Sequence, residues 1–265
     1  MDSTQLSFST IFILSFLYYL IFEYFFRQLV LTATSLNRDI SLPFITSFKP
    51  LKVFWWKLIF ILSPGLWVSQ NCKEFIKSEF PCVKIQKYEL SKFIKTSNCW
   101  NIIISFVVLV ITLLIEEIFP DTNHFKILVL GFVMWRYISR NFEILVAFGK
   151  DVLSSDSSSD LDNQARMKLA VISYFEIFIY SAAFYSAYSC SLLETHESIL
   201  TSLFVGTLTN VSDAIKLLTC NLTSDSCYMF WLKLSVYLQV FATLSLIFFA
   251  LAGYFSRVKS NTIKF

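Results

Sequence analysis

Long uninterrupted apolar runs are the feature that most constrains this chain. A bilayer core of about 30 Å is crossed by ~20 helical residues, because a helix rises about 1.5 Å per residue. Such runs occupy residues 7–31, 101–119, 125–148, 168–189 and 229–255. They are continuous rather than alternating, which favours helices over the strands of a membrane barrel. We therefore predict an all-α integral membrane protein with the lipid bilayer as its immediate partner.

One further stretch leaves the number of spans open at five or six. Residues 53–69 are apolar but short, contain Lys57 and carry Pro64 and Gly65 near their end. The stretch can cross the bilayer, or it can lie in the interface with its tryptophans as anchors.

The composition argues against most soluble functions. Only 15% of the residues are charged, whereas soluble domains carry about 25%. Neither phosphate-binding glycine motif occurs, and the two histidines, His124 and His196, lie far apart in the sequence. We expect no enzyme activity, no metal site and no cofactor. The net charge of +3 is clustered by loop, which does not indicate a nucleic-acid partner.

The basic residues predict the orientation. Lysines concentrate in residues 70–99, and this side is expected to be cytoplasmic by the positive-inside rule. The predicted domains are an N-terminal transmembrane region (1–150) that contains this Lys-rich loop, a Ser/Asp-rich linker (151–167), a pore-loop-like domain (168–256) and a cytoplasmic tail (257–265). The expected location is the plasma membrane, or the inner membrane of a bacterium, with a multi-pass chain and a cytoplasmic C-terminus.

Ionisable residues within the predicted spans are candidate functional groups. Arg136 and Arg140 are four residues apart, and Glu143 follows three residues later, within reach of Arg140. Glu176 in the next span can pair with Arg140 instead. Glu23 and Arg27 are one turn apart and can neutralise each other. Two arginines are too few for a voltage sensor, so we expect helix pairing or snorkelling.

The cysteines divide by side of the membrane. Cys72, Cys82 and Cys99 fall on the predicted cytoplasmic side and are expected to be free thiols. On the outer side, Cys220 and Cys227 can form a disulfide, which would leave Cys190 free or intermolecular.

The last hundred residues have a distinctive order: a span, a ten-residue apolar stretch at 199–208 that is too short to cross, and a second span. Ser173-Tyr174-Phe175-Glu176 with Phe184-Tyr185, the segment 203–213 and the closing stretch 238–252 together resemble the pore module of two-transmembrane, potassium-channel-like cation channels. The likeness covers roughly residues 130–256. It implies that the last two spans flank a re-entrant pore-like loop, with four copies around one pore that conducts monovalent cations.

The filter-like residues depart from that family. They are Thr207, Thr209, Asn210, Val211, Ser212 and Asp213. Aligned on Asp213, the segment is two residues short and lacks both filter glycines, whose backbone angles other residues resist. A potassium-selective column of carbonyls is therefore not expected. Asp213 either forms an acidic ring at the outer mouth of a tetramer or simply caps an outer turn.

Two functions follow as expectations. The first is a homotetrameric, weakly selective cation pore with a filter unlike that of potassium channels. The second is a non-conducting membrane anchor or signalling subunit derived from a channel fold, with residues 70–99 as its cytoplasmic contact surface.

Overall fold

A computed structural model describes residues 3–34, 60–118, 124–153, 159–188, 195–219 and 226–251. These residues contain helices and turns but no strand, in agreement with the predicted all-α class. In chain order the helices are α1 (Ser3–Thr34), α2 (Pro64–Glu79), α3 (Val83–Ile118), α4 (His124–Leu153), α5 (Asn163–Tyr188), α6 (Thr195–Gly206), α7 (Val211–Thr219) and α8 (Ser226–Ser245), the last followed by a π-helical segment, Leu246–Leu251.

Three helices of the described part are long and apolar enough to cross a membrane. They are Ile13–Thr34 within α1, Val83–Ile115 within α3 and Asn163–Ala187 within α5. The predicted spans at 125–148 and 229–255 are not in this set, although α4 and α8 cover most of them. A total of five or six spans therefore stays a prediction, and the first seven residues of the 53–69 stretch that would decide it, residues 53–59, lie outside the described residues.

The chain forms two compact units. Unit 1 consists of Met1–Tyr19, Ile103–Asn141 and Tyr174–Leu244. Unit 2 consists of Leu20–Ile102, Phe142–Ser173 and Ser245–Phe265. The boundary crosses α1, α3, α4 and α5, so each of these helices contributes one part to each unit. The predicted domain boundaries at 150 and 168 stay predictions.

Close packing within unit 1 relies on one small residue and on aromatic pairs. A Cβ atom added to Gly131 of α4 would lie 2.8 Å from the Cβ of Ser15, so a side chain there would collide with α1. Tyr137 and Phe184 stack with ring centroids 4.9 Å apart in the core of the unit. Gly131 therefore lets α1 and α4 approach closely, at a position where even alanine would force them apart.

Unit 2 shows that most of the Lys-rich stretch 70–99 is helical. Ser63 begins α2 as its N-cap, because its hydroxyl accepts a hydrogen bond from the Leu66 backbone N–H at 3.3 Å. Helix α3 contains neither glycine nor proline between Val83 and Ile118. Gln86 closes the α2–α3 hairpin by donating to the carbonyl of Lys77 at 2.9 Å. This stretch is a helical hairpin rather than an irregular loop.

The C-terminal end of the Ser/Asp-rich linker is fixed to unit 2. The Asp160 backbone N–H donates to the Ser91 hydroxyl of α3 at 2.7 Å. Arg166 pairs with Asp151 and donates to the carbonyl of Leu161 at 3.0 Å. Residues 159–162 are thus held against helices, while residues 154–158 lie outside the described part.

Candidate functional site

The filter-like segment forms the turn between α6 and α7. Helix α6 ends in a Schellman motif, in which the Thr209 N–H donates to the carbonyl of Phe204 and the Leu208 N–H donates to that of Val205, both at 3.2 Å. Leu208 has φ 60° and occupies the left-handed position where glycine is usual. Asn210 directly precedes α7, and Val211, Ser212 and Asp213 form its first turn.

The carbonyl groups around this turn are already used inside the protein. Those of Leu203, Phe204 and Val205 accept hydrogen bonds from the N–H groups of Thr207, Thr209 and Leu208. The Gly206 carbonyl accepts from the Tyr174 hydroxyl at 3.2 Å, and that of Asn210 accepts from the Ala214 N–H at 3.0 Å. A selectivity filter needs consecutive carbonyls that point at the ion instead of at internal donors. The four carbonyls before the turn belong to α6; among the filter-like residues, the Asn210 carbonyl is bonded to Ala214, and Val211, Ser212 and Asp213 are helical, so residues 210–213 present no such column.

The side chains of the turn are polar and mostly exposed. The hydroxyls of Thr207 and Thr209 lie 2.9 Å apart, so one hydrogen-bonds the other. Asn210 and Ser212 are exposed, and Val211 is half-buried. Asp213 accepts a hydrogen bond from the Lys216 ammonium at 3.2 Å, with both side chains at least half exposed. Lys216 therefore offsets part of the negative charge that an acidic ring at Asp213 would supply.

A buried polar chain holds α6 against its neighbours in unit 1. The Ser202 hydroxyl donates to the Phe178 carbonyl of α5 at 2.8 Å. Gln239 of α8 donates to the Ser202 carbonyl at 3.0 Å and accepts from the Tyr185 hydroxyl at 2.6 Å. Because all these groups are bonded inside an apolar unit, the α6–α7 hairpin is fixed to both α5 and α8.

Two arginines of unit 1 form tight contacts between α4 and α5. Arg140 donates to both carboxylate oxygens of Glu176, at 2.5 and 2.9 Å, and both side chains are buried. Arg136 donates to the Tyr180 hydroxyl at 2.9 Å. Two hydrogen bonds from one guanidinium to one carboxylate give a strong and directional tie between the helices.

Unit 2 contains a second buried cluster, in which Glu143 lies against Arg27. The Arg27 Nη2 atom is 2.7 and 2.8 Å from the two carboxylate oxygens of Glu143. Its Nε atom is 2.7 Å from Glu23 and its Nη1 atom donates to the Ser97 hydroxyl. Residue spacing alone pointed to the contact with Glu23, but the contacts with Ser97 and Glu143 join residues 70 and 116 positions away.

Cysteines and potential metal ligands form no second candidate site within the described residues. Cys72, Cys82 and Cys99 are free thiols, as expected. Within the described ranges no three His, Cys, Asp or Glu side chains lie close enough to hold a metal ion. The predicted bridge from Cys220 to Cys227 falls outside the described part, since Cys220 and the side chain of Cys227 are not described.

No protein-family model, no curated protein and no solved structure matches the chain. The likeness to potassium-channel-like proteins therefore stays a prediction that rests on the residues quoted above.

Proposed function

We propose that this protein is a non-conducting membrane subunit, an anchor or a signalling component, in which a channel-like helical hairpin serves as a structural element. One observation carries this proposal: among the filter-like residues, Val211, Ser212 and Asp213 form the first turn of α7, and the Asn210 carbonyl accepts a hydrogen bond from the Ala214 N–H. Turning these carbonyls toward an ion would unwind the start of α7. The α2–α3 hairpin, which contains most of the Lys-rich residues 70–99, is its proposed contact surface.

A second candidate function is a weakly selective cation pore made by four copies of the chain. The observation in its favour is the exposed polar turn, since Thr207, Thr209, Asn210 and Ser212 are all exposed. Four such turns around an axis would line a hydrated passage, with Asp213 as the residue that attracts cations. The adjacent Lys216 works against this function.

Cation flux into proteoliposomes separates the two functions. The full chain is reconstituted in sealed vesicles, and potassium and sodium uptake is compared with that of empty vesicles. We expect no flux above the empty control. If the chain is instead a pore, flux appears, falls in Asp213→Asn and rises in Lys216→Gln, because the second substitution removes the cation beside Asp213. Oligomer mass measured in the same detergent preparation shows whether four copies are present.

A further inference from the structure

Helix α3 is too long to lie entirely within a bilayer. Its 36 residues extend about 54 Å, whereas the hydrocarbon core is about 30 Å thick. The apolar run occupies the C-terminal half of the helix, beginning at Asn101. Residues 83–100, about 27 Å of helix, therefore lie outside the hydrocarbon.

The part of α3 outside the hydrocarbon has one buried face and one exposed basic face. Leu90, Phe93 and Ser97 are buried in unit 2. The exposed face follows spacings of four, four, three and four residues, which keep side chains on one side of a helix. Its members are Lys84, Tyr88, Lys92, Lys95 and Cys99, of which Lys92 is half-buried and the others are exposed, and we call this set the lysine face.

Charge and position indicate which partner can contact the part of the lysine face nearest the bilayer. Residues 83–100 contain four lysines, and Glu89, which is half-buried beside the lysine face, is the single acidic residue of that stretch. Lys95 and Lys92 lie six and nine residues before Asn101, about 9 and 14 Å along the axis, so both stand within the headgroup layer of about 5–8 Å plus the length of a lysine side chain. Trp100 is 47% exposed at the start of the apolar run, the usual place for an interfacial tryptophan.

We propose that Lys92 and Lys95, with Trp100 beside them, bind the headgroup phosphate of an anionic phospholipid in the leaflet on the Lys-rich side. Lys92 is half-buried and donates to the carbonyl of Thr34, and an ammonium group has three donors, so two remain for a phosphate. This inference deepens the proposed function and rests on it, because it names the partner of the α2–α3 contact surface.

Lys84 supplies a matched control on the same face. It is exposed and carries the same charge, but it lies seventeen residues before Asn101, about 25 Å along the helix. The headgroup layer is only about 5–8 Å thick on each side. A lipid held at Lys92 and Lys95 therefore does not reach Lys84.

The test measures lipid adducts of the full chain in detergent by native mass spectrometry. The probes are phosphatidylglycerol and phosphatidylcholine, added at equal concentrations to the wild type and to Lys95→Gln, Lys92→Gln/Lys95→Gln and Lys84→Gln. A basic residue near an anionic headgroup changes the affinity about fivefold. We expect phosphatidylglycerol affinity to fall about fivefold in Lys95→Gln and more than tenfold in the double variant, with no change in Lys84→Gln. Lys95→Arg should retain wild-type binding, which separates loss of charge from loss of folding.

Three results would overturn the proposal. Equal binding of the two lipids would show contact with the acyl chains only. A loss in Lys84→Gln as large as that in Lys95→Gln would indicate a diffuse basic surface of the kind an acidic protein partner uses. Displacement of the lipid by millimolar inorganic phosphate would indicate a site for a free anion. None of these results depends on whether the vesicles conduct, so the lipid site and the proposed function fail separately.

Discussion

Two buried guanidinium groups make strong and specific contacts within the described part of the chain. Arg27 and Arg140 each lie in an apolar unit with their charge matched by carboxylates at hydrogen-bond distance. An ion buried without a partner would cost several kcal/mol, so a guanidinium is buried only where its neighbours satisfy it. The arginines and glutamates therefore determine which helices can be neighbours within each unit.

The Arg27 cluster predicts a large effect for a small substitution. Glu143→Gln keeps the size of the side chain but removes the charge that receives two hydrogen bonds from Arg27. We expect the free energy of unfolding to fall by about 2–3 kcal/mol, the usual contribution of hydrogen bonds to charged groups. Unfolding in mixed micelles of increasing SDS content measures it.

Asp213→Asn is the matched control for that substitution. It also removes one carboxylate charge from an ion pair, but the Asp213 and Lys216 side chains are 50% and 73% exposed. An exposed pair contributes roughly 0.2–1 kcal/mol, so the free energy of unfolding of this variant should lie within that margin of the wild-type value. Equal losses in the two variants would contradict the structural role given to the Arg27 cluster.

Residue spacing reveals some of these contacts and not others. Glu23 and Arg27 share one helical face, and Arg140 and Glu176 lie at matching depths of consecutive predicted spans, so the sequence suggests both pairs. Glu143 follows Arg140 by only three residues in the sequence. The structure also places it against Arg27, which is 116 residues away. A partner at that separation is set by the packing of α1 against α4, which no local pattern encodes.

At the scale of elements, the turn between α6 and α7 shows how the chain stops a helix without glycine. Gly206 occupies the last turn of α6, and the left-handed residue that follows the helix end is Leu208. A left-handed conformation costs a residue with a Cβ about 1–2 kcal/mol. The usual stop signal, glycine just beyond the helix end, is missing, so the sequence did not reveal that α6 ends at this position.

The strain at Leu208 predicts an unusual order of stability. Leu208→Gly and Leu208→Ala remove the same side-chain contacts, but only glycine adopts φ 60° without strain. We expect Leu208→Gly to be more stable than Leu208→Ala by about 1 kcal/mol. Leu200, an exposed position inside α6, provides the control. There the alanine variant should have a free energy of unfolding about 1 kcal/mol higher than that of the glycine variant. The same SDS titration serves for all four variants, and the same order at both positions would rule out a left-handed Leu208.

For the molecule as a whole, apolar runs predict well where the helices lie. They indicate less directly which side of the membrane each connection occupies. The runs at 7–31, 101–119 and 168–189 each lie mostly within a helix able to cross a membrane, because burial in lipid requires a continuous apolar surface. The helical hairpin at 64–118 was less visible, since lysines every few residues suit either a solvated helix or a loop. Which end of α3 faces which side is the point on which the predicted topology depends.

Chemical labelling of Cys82 tests that topology. Cys82 is exposed, and the backbone N–H groups of Ile85 and Lys84 at the start of α3 lower the pKa of its thiol. More thiolate is therefore present at neutral pH. As the pH is raised, the rate at which Cys82 reacts with a maleimide should level off at a lower pH than that of an ordinary cysteine. Cys72 serves as the silent internal control, because burial raises its pKa to about 12.

A cysteine introduced by Asn123→Cys marks the connection that follows α3 in the sequence, on the predicted outer side. With a membrane-impermeant maleimide and peptide-mass mapping, we expect this cysteine to be labelled in intact cells, and Cys82 to be labelled only after permeabilisation. The reason is length: the apolar half of α3 is sufficient to separate the two sites by one bilayer. Labelling of both sites from the same side would mean that α3 does not cross. In that case the orientation of every later helix, and with it the leaflet assigned to Lys92 and Lys95, would have to be reassigned.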